Sequence, residues 1–227
     1  FRSIRTKLNF MIVGESCTKV LVTSSVSGEG KTFTSINLAA IYAATGKKTI
    51  LVGADLRKPK IYQDFGLKND IGLSSCLINA NTLDEAIQQT KLENLDLLAS
   101  GPIPPNPAEL IESSVMDRLF ENLEKKYDVI IIDSPPLGLV TDALLLKKYA
   151  DASLYIVRHN YTEKGYLESI NQLYLDKSFS NIGIVVNAVE QKSGMGFGKE
   201  YGYGYGYGYG YGYGYGYGYG YYSEDKR

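Results

Sequence analysis

Apolar positions along the chain follow two rhythms. Over residues 1–13 they recur every three or four places (Phe1, Ile4, Leu8, then Met11 or Ile12), which predicts one amphipathic helix with Arg2 and Arg5 a turn apart on another face. Beyond it, short unbroken apolar runs predict strands at 20–23, 49–52, 95–99, 129–132, 154–157 and 182–186. Unbroken runs are what strands buried on both faces require, as in a parallel sheet covered by helices. Helical stretches fill the gaps, at 31–44, from Thr82, from Asn106 to about 126, at 142–149 and at 163–175. Thr82 and Glu85 have the spacing of a capping box. Asn106-Pro107-Ala108-Glu109 reads as a cap, a first-turn proline and an acid reaching back. The predicted fold is α/β: a mostly parallel open sheet with helices on both faces, of P-loop NTPase type, followed by a flexible Tyr/Gly-rich C-terminal tail.

The rhythm stops near residue 194. Tyr alternates with Gly from Tyr201 to Gly220, and 12 of the 20 tyrosines sit in this tail. Glycine at every second place costs too much backbone entropy for a stable helix, and no aliphatic residue is present to make a core. We divide the chain into a domain at 1–193, with 1–13 as a separate opening helix, and a tail at 194–227. Extended, the 22 Tyr and Gly residues reach roughly 70 Å.

Composition narrows the function classes. Hydrophobic residues are 44% and charged residues 22%, values of a globular protein. The formal net charge of -1 gives no basic field toward nucleic acid. No apolar run approaches the ~20 residues that span a bilayer. Cys17 and Cys76 stand in unrelated contexts and read as reduced thiols, and the single His159 anchors no His-based metal site.

The candidate chemistry lies after the first strand. Ser24-Ser25-Val26-Ser27-Gly28-Glu29-Gly30-Lys31-Thr32 joins a strand to a helix, the context of a phosphate-binding loop. Its glycines let backbone N–H groups turn toward phosphate, and the helix start adds partial positive charge. Ser27, Gly28, Glu29, Gly30, Lys31, Thr32 and Phe33 are the candidate nucleotide contacts, with Lys31 reaching phosphates and Thr32 able to ligate Mg²⁺. Ser25 stands where the usual first glycine would be. Asp133 ends the fourth strand, as the metal-organising aspartate of P-loop enzymes does, and Asp55 follows the second. A lone Asp after a strand is more often a cap or turn, but two beside a phosphate loop favour metal chemistry. Asn187, ending the last strand, is a candidate adenine contact.

Together these segments resemble the bacterial tyrosine kinases of polysaccharide synthesis (BY-kinases), in particular the capsule-biosynthesis subtype of Gram-positive cocci. The resemblance rests on the opening Phe1-Arg-Ser-Ile-Arg-Thr6, on Gly28-Glu-Gly-Lys-Thr32 and on Ala54-Asp-Leu-Arg-Lys-Pro59. It continues through Pro104-Pro-Asn-Pro-Ala-Glu-Leu110, Ile132-Asp-Ser-Pro-Pro136, Thr141-Asp-Ala143 and the tyrosine-rich end. It implies ATP and Mg²⁺ as cofactors, with Lys31, Asp55 and Asp133 catalytic and Thr32, Asp55 and Asp133 on the metal. It implies autophosphorylation in trans of Tyr201, Tyr203, Tyr205, Tyr207, Tyr209, Tyr211, Tyr213, Tyr215, Tyr217, Tyr219, Tyr221 and Tyr222. It further implies a ring-shaped homo-oligomer, octamers included, held partly by Arg2 and Arg5. A membrane-anchored activator protein with a cytosolic tail, protein substrates of polysaccharide synthesis, and a cytoplasmic place at the inner face of the plasma membrane follow from the same resemblance.

One position departs. The family's second acidic motif reads apolar-Asp-x-Asp, and its first Asp, a candidate base for the tyrosine hydroxyl, falls at Gly53. Weakened catalysis with surviving nucleotide binding is the expectation, Asp55 partly substituting. Two other readings stay open. A partition-type ATPase of the same fold carries a signature lysine where Val26 stands, and has no use for the tail. A nucleotide-gated scaffold would bind ATP and catalyse little. For the tail alone, cross-β stacking of tyrosines competes with a substrate role.

Overall fold

β-branched residues dominate the run Val129–Asp133, and all five of its residues are buried. Such a strand needs neighbours on both edges and a helical layer on each face. The computed structural model describes residues 1–138, 141–177, 179 and 181–190, and shows that arrangement. The tail at 194–227, with all 12 of its tyrosines, lies outside the described residues. The strands are β1 (Thr18–Ser24), β2 (Thr49–Gly53), β3 (Ile87–Gln89), β4 (Leu95–Leu98), β5 (Val129–Asp133), β6 (Ala152–Arg158) and β7 (Ile182–Asn187). They form one sheet in the order β3-β4-β2-β5-β1-β6-β7. Every pairing is parallel except β3 with β4. Chain segments leaving β1 build the sheet toward β2 and β4, and those leaving β5 cross back to β6 and β7. The carboxyl edge of β1 therefore lies at a topological switch point, where open α/β sheets bind ligands.

The helices are α1 (Arg2–Met11), α2 (Lys31–Ala43), α3 (Ile61–Phe65), α4 (Leu73–Leu77), α5 (Leu83–Ala86), α6 (Pro107–Glu112), α7 (Ser114–Glu124), α8 (Asp142–Leu146) and α9 (Lys164–Leu175). On one face, Leu8 of α1 and Leu38, Ala39 and Tyr42 of α2 pack on Val20, Val22, Leu51 and Ile131. On the other, Ile111, Phe120, Leu123 and Leu146 pack on Leu21, Ile50, Ile130 and Ile132. Phe120 also stacks on Tyr149 at 4.3 Å between ring centres. Truncating a buried aromatic of this kind to alanine typically costs ~3–5 kcal/mol.

The stripe predicted for the opening helix is the one α1 uses from Ile4 onward, with Leu8 buried and Ile4, Met11 and Ile12 packed beside it, whereas Phe1 precedes the helix as its N-cap and stays exposed. The capping box is also present: the Thr82 N–H donates to Glu85 Oε2 at 2.8 Å and the Glu85 N–H to Thr82 Oγ1 at 3.4 Å. The helix predicted from Asn106 to about residue 126 is instead two. Ser113 adopts extended backbone (φ -70°, ψ 151°) and its hydroxyl accepts from the Met116 N–H at 3.3 Å, so it ends α6 and caps α7. A serine in that conformation cannot continue the helical ladder, and it is a preferred cap. Asn106 makes no cap bond, since its amide donates to Glu109 Oε2 at 2.6 Å. The short pieces β3, α3 and α4 carry too few residues to show a periodicity, and none of them was predicted.

Candidate nucleotide and phosphoryl-transfer site

The loop between β1 and α2 is shaped by two left-handed glycines, Gly28 (φ +87°) and Gly30 (φ +99°). A Cβ on Gly30 would lie 2.1 Å from Asn187 Nδ2, so both conformation and space demand glycine there. Gly30 is also the N-cap of α2 and offers no side-chain bond, which leaves first-turn N–H groups for an anion.

The loop is braced from behind. Glu29 is fully buried; its Oε2 accepts the Val26 N–H at 2.7 Å and its Oε1 accepts the Thr162 hydroxyl. Three loop carbonyls accept bonds from the β6–α9 turn and the end of β7. Tyr161 Oη donates to Ser27 O at 3.0 Å, Arg158 Nη1 to Gly28 O at 3.0 Å, and Asn187 Nδ2 to Glu29 O at 2.9 Å. Holding carbonyls outward is what turns successive N–H groups toward a bound anion. Ser25, at the place of the usual first glycine, is buried and shares a 2.6 Å hydrogen bond with Tyr155 Oη.

Lys31 and Thr32 open α2 beneath this loop. Lys31 is 9% exposed, and burial lowers its ammonium from the ordinary lysine value while Asp133, Asp55 and Glu29 pull it back up. Asp133 ends β5 and is also buried. Its Oδ2 accepts the Thr32 hydroxyl at 2.8 Å and its Oδ1 the Ser35 hydroxyl at 3.0 Å. Burial pushes the Asp133 carboxyl up to about 6 despite those donors and Lys31. A positive ion beside it would reverse that shift. Asp55 follows β2, and its Oδ1 accepts the N–H groups of Arg57 at 3.2 Å and Lys58 at 2.9 Å. Its Oδ2 has no protein partner among the described residues.

These groups share one cleft of about 130 Å³, with Ser27, Gly28, Lys31, Thr32 and Asp133 on one side. Gly53, Asp55, Lys58, Lys60, Ile61 and Ser100, from the ends of β2 and β4 and the segment running into α3, complete the lining as a second wall. Pockets for whole drug-sized ligands run ~300–1,000 Å³, so this cleft suits phosphoryl groups and a metal, with a nucleoside lying outside it. A Cβ at Gly53 would meet Ile61 Cγ2 and Ser100 Oγ, each at 2.9 Å, and the Ser100 N at 3.2 Å. Ser100 Oγ is buried and without a hydrogen-bond partner. A larger concavity of about 710 Å³ lies elsewhere, between residues 79–85 and α7. Glu85 and Arg118 are its only ionisable side chains apart from the Cys76 thiol, and nothing in it converges on a reactive atom.

The structure thus brings Ser27, Gly28, Glu29, Gly30, Lys31, Thr32, Asp55 and Asp133 to one sheet edge. Phe33 points outward, 56% exposed, its ring edge-on to Phe1 at 5.8 Å. Asn187 sits against the loop, its Oδ1 accepting the Ala188 N–H at 2.9 Å. Arg2 is exposed, while Arg5 is half-buried with Nη1 3.4 Å from Ile41 O. Sequence reasoning missed the braces Arg158, Tyr161 and Thr162, and also Ser35 and Ser100. Only Ser35 carried a signal, being one helical turn beyond Lys31. No three His, Cys, Asp or Glu residues gather among the described residues. No helix among them is long and apolar enough to cross a membrane.

Comparison with known proteins bears on the family and the fold. The family described as "AAA domain" matches residues 18–176. The tyrosine-protein kinase YwqD of Bacillus subtilis is 43% identical over 164 residues, covering 72% of this chain and 69% of that protein. The protein CapB of Staphylococcus aureus is 36% identical over 187 residues, covering 82% of each. The crystal structure of the chimerical protein CapA2B2 superposes with a TM-score of 0.79 at 37% identity, covering 84% of both chains.

Proposed function

Because the chain belongs to the bacterial tyrosine kinases of capsule and exopolysaccharide biosynthesis, we propose that it uses ATP and Mg²⁺ to phosphorylate tyrosines in the tail of a neighbouring copy. The observation that supports this best is the convergence of Lys31, Thr32, Asp133 and Asp55 in a cleft sized for phosphoryl groups.

The loop N–H groups and Lys31 hold the β- and γ-phosphates. Thr32 Oγ1, the Asp133 carboxylate and the unpartnered oxygen of Asp55 are hard oxygen donors, few in number. That donor set fits Mg²⁺, which commonly keeps waters and takes its remaining ligands from phosphate. When bound, the ion neutralises charge on the phosphates. The tyrosine phenol has an ordinary pKa near 10, so it needs help to lose its proton. Its oxygen forms a bond to the γ-phosphorus as the bond to the ADP oxygen breaks, and the phenolic proton leaves to water in the open cleft, Asp55 standing in only in part for the base that position 53 lacks. Asn187 keeps one amide N–H and one lone pair for the adenine edge. Arg2 and Arg5 contribute to a ring of copies, and a membrane-anchored partner with a cytosolic tail activates it at the inner face of the membrane. Protein substrates of polysaccharide synthesis are further acceptors. Each phosphate adds about -1.5 to -2 charges, so several per tail repel across a ring. Phosphorylated protein is therefore expected to show a lower mass by light scattering than dephosphorylated protein, and equal masses would reject that step.

Gly53 supports a second reading, a nucleotide-gated scaffold, because no side chain there can accept a proton. Incubation with γ-labelled ATP and Mg²⁺ separates the readings. Label on tyrosine supports the kinase, release of free phosphate supports an ATPase, and bound, unchanged ATP supports the scaffold.

A further inference from the structure

Two of the sequence motifs hold charges that the cleft does not use, Arg57 in Ala54-Asp-Leu-Arg57 and Asp142 in Thr141-Asp-Ala143. In the fold they meet. Arg57 Nε donates to Asp142 Oδ2 at 2.7 Å and Nη2 to Oδ1 at 2.9 Å, a two-pronged contact across 85 residues of sequence. The Asp142 side chain is 0% exposed and that of Arg57 41%. No other side chain among the described residues bonds that carboxylate. A carboxylate buried this deeply is tolerated only with a well-oriented partner, which sets this pair apart from ordinary surface ion pairs.

The pair joins the two strand ends that carry the cleft's carboxylates. Asp55 closes a turn on itself by accepting the N–H groups of Arg57 and Lys58, so where Arg57 goes, Asp55 follows. Asp142 begins α8, the element after β5 and Asp133. A backbone bond, Ala54 N–H to Asp133 O at 2.8 Å, ties the same ends at the sheet edge. That bond fixes the strands, and the Arg57–Asp142 contact fixes the turn beyond them.

We propose that Arg57 and Asp142 are positioning residues that hold Asp55 at the right separation from Asp133 for a shared divalent cation. They thereby set how strongly the cation tightens nucleotide binding. This rests on the reading of Asp55 and Asp133 as cation ligands. Neither member lines the cleft.

Calorimetric titration of the full chain with ADP, once with Mg²⁺ and once with EDTA, tests it. In Arg57→Ala the tightening that Mg²⁺ gives should fall by about tenfold, the effect typical of losing a group that orients a metal ligand. Affinity in EDTA should stay within about twofold, because the phosphate loop and Lys31 are untouched. Arg57→Lys, which keeps one bond and the charge, should fall between the two. Asp142→Asn should match Arg57→Ala if it folds, and the exposed-end variant Arg57→Lys carries the test if it does not. Equal losses with and without Mg²⁺, or no loss in either, overturn the proposal. Tyrosine labelling by the wild-type chain is read separately. Absent labelling with Mg²⁺-tightened ADP binding rejects the kinase and leaves the positioning pair standing. Labelling with unchanged Arg57 variants rejects the pair alone.

Discussion

The two walls of the cleft are built differently. The phosphate-loop wall is closed on every side: Glu29, Tyr161, Arg158, Thr162 and Asn187 all bond the loop, and Thr32 and Ser35 both bond Asp133. The second wall carries Gly53 with no side chain, Ser100 with an unpartnered hydroxyl, and the exposed lysines Lys58 and Lys60. Neither lysine forms an ion pair among the described residues. Electrostatic stabilisation is strongest when its donors are fixed beforehand. The first wall meets that condition as it stands. The second has groups whose bonds must come from a ligand, or from a side chain that position 53 lacks. On the proposed function, holding nucleotide and using it would fall to walls of unequal completeness.

The sharpest way to break the comparison is to empty the finished wall. Lys31→Ala should lower tyrosine labelling by about 100-fold or more, measured with γ-labelled ATP, since a preorganised charge is lost from a buried site. Labelling within a few-fold of wild type would mean that the phosphates lie elsewhere. Glu29→Ala removes the carboxylate that bonds Val26 and Thr162 and leaves the Val26 N–H unpaired. Charged hydrogen bonds contribute ~1.5–3 kcal/mol, so nucleotide affinity, followed with a fluorescent ATP analogue, should weaken by roughly 20-fold. An unchanged affinity would show that the bracing is incidental.

Completing the other wall should have the opposite sign. Gly53→Asp is expected to raise tyrosine labelling about tenfold, a modest share of what a general base supplies. The added Cβ crowds the Ile61 Cγ2 methyl, Ser100 Oγ and the Ser100 backbone N; Ser100 Oγ has no bond to lose by turning away, while the buried, β-branched Ile61 must shift to make room. The Ser100 hydroxyl can then donate to the new carboxylate. The gain should therefore shrink when Ser100→Ala is combined with Gly53→Asp. No rise in labelling would sink the account of position 53. The smallest effect is on stability. Ser100→Ala alone removes a buried, unpaired hydroxyl and should stabilise the fold by ~1 kcal/mol, read as a higher urea midpoint. A lower midpoint would show that the hydroxyl has a partner after all.

Signals carried by neighbours in sequence were legible beforehand. The stripe of α1, the capping box at Thr82 and the six longer strands all rest on contacts a few residues apart, as does the glycine-flanked loop before Lys31. Where the local signal was ambiguous it misled: Asn106-Pro-Ala-Glu looked like one long helix, because nothing nearby said that Ser113 would turn extended. The candidate site divided the same way. Lys31 and Thr32 were candidates from the glycine loop and helix start, and Asp55 and Asp133 from their places after strands; the fold brings all four to one cleft. The loop's braces come from residues 130 and more positions away, and no spacing rule reaches that far.

By itself the sequence determined the class of chemistry: a strand, a glycine-bearing loop, Lys31 and Thr32 at a helix start, and acids after two buried strands. It did so because phosphate binding needs little more than a short contiguous stretch of backbone N–H groups and one cation. Tertiary structure alone decided how well each part is held. The sheet order puts β2 between β4 and β5, which sets Gly53 against Ser100 on one side and beside Asp133 on the other. The same order lets Arg57 reach a buried Asp142. Those pairings are fixed by packing across the whole domain, where distance along the chain has no bearing on distance in space.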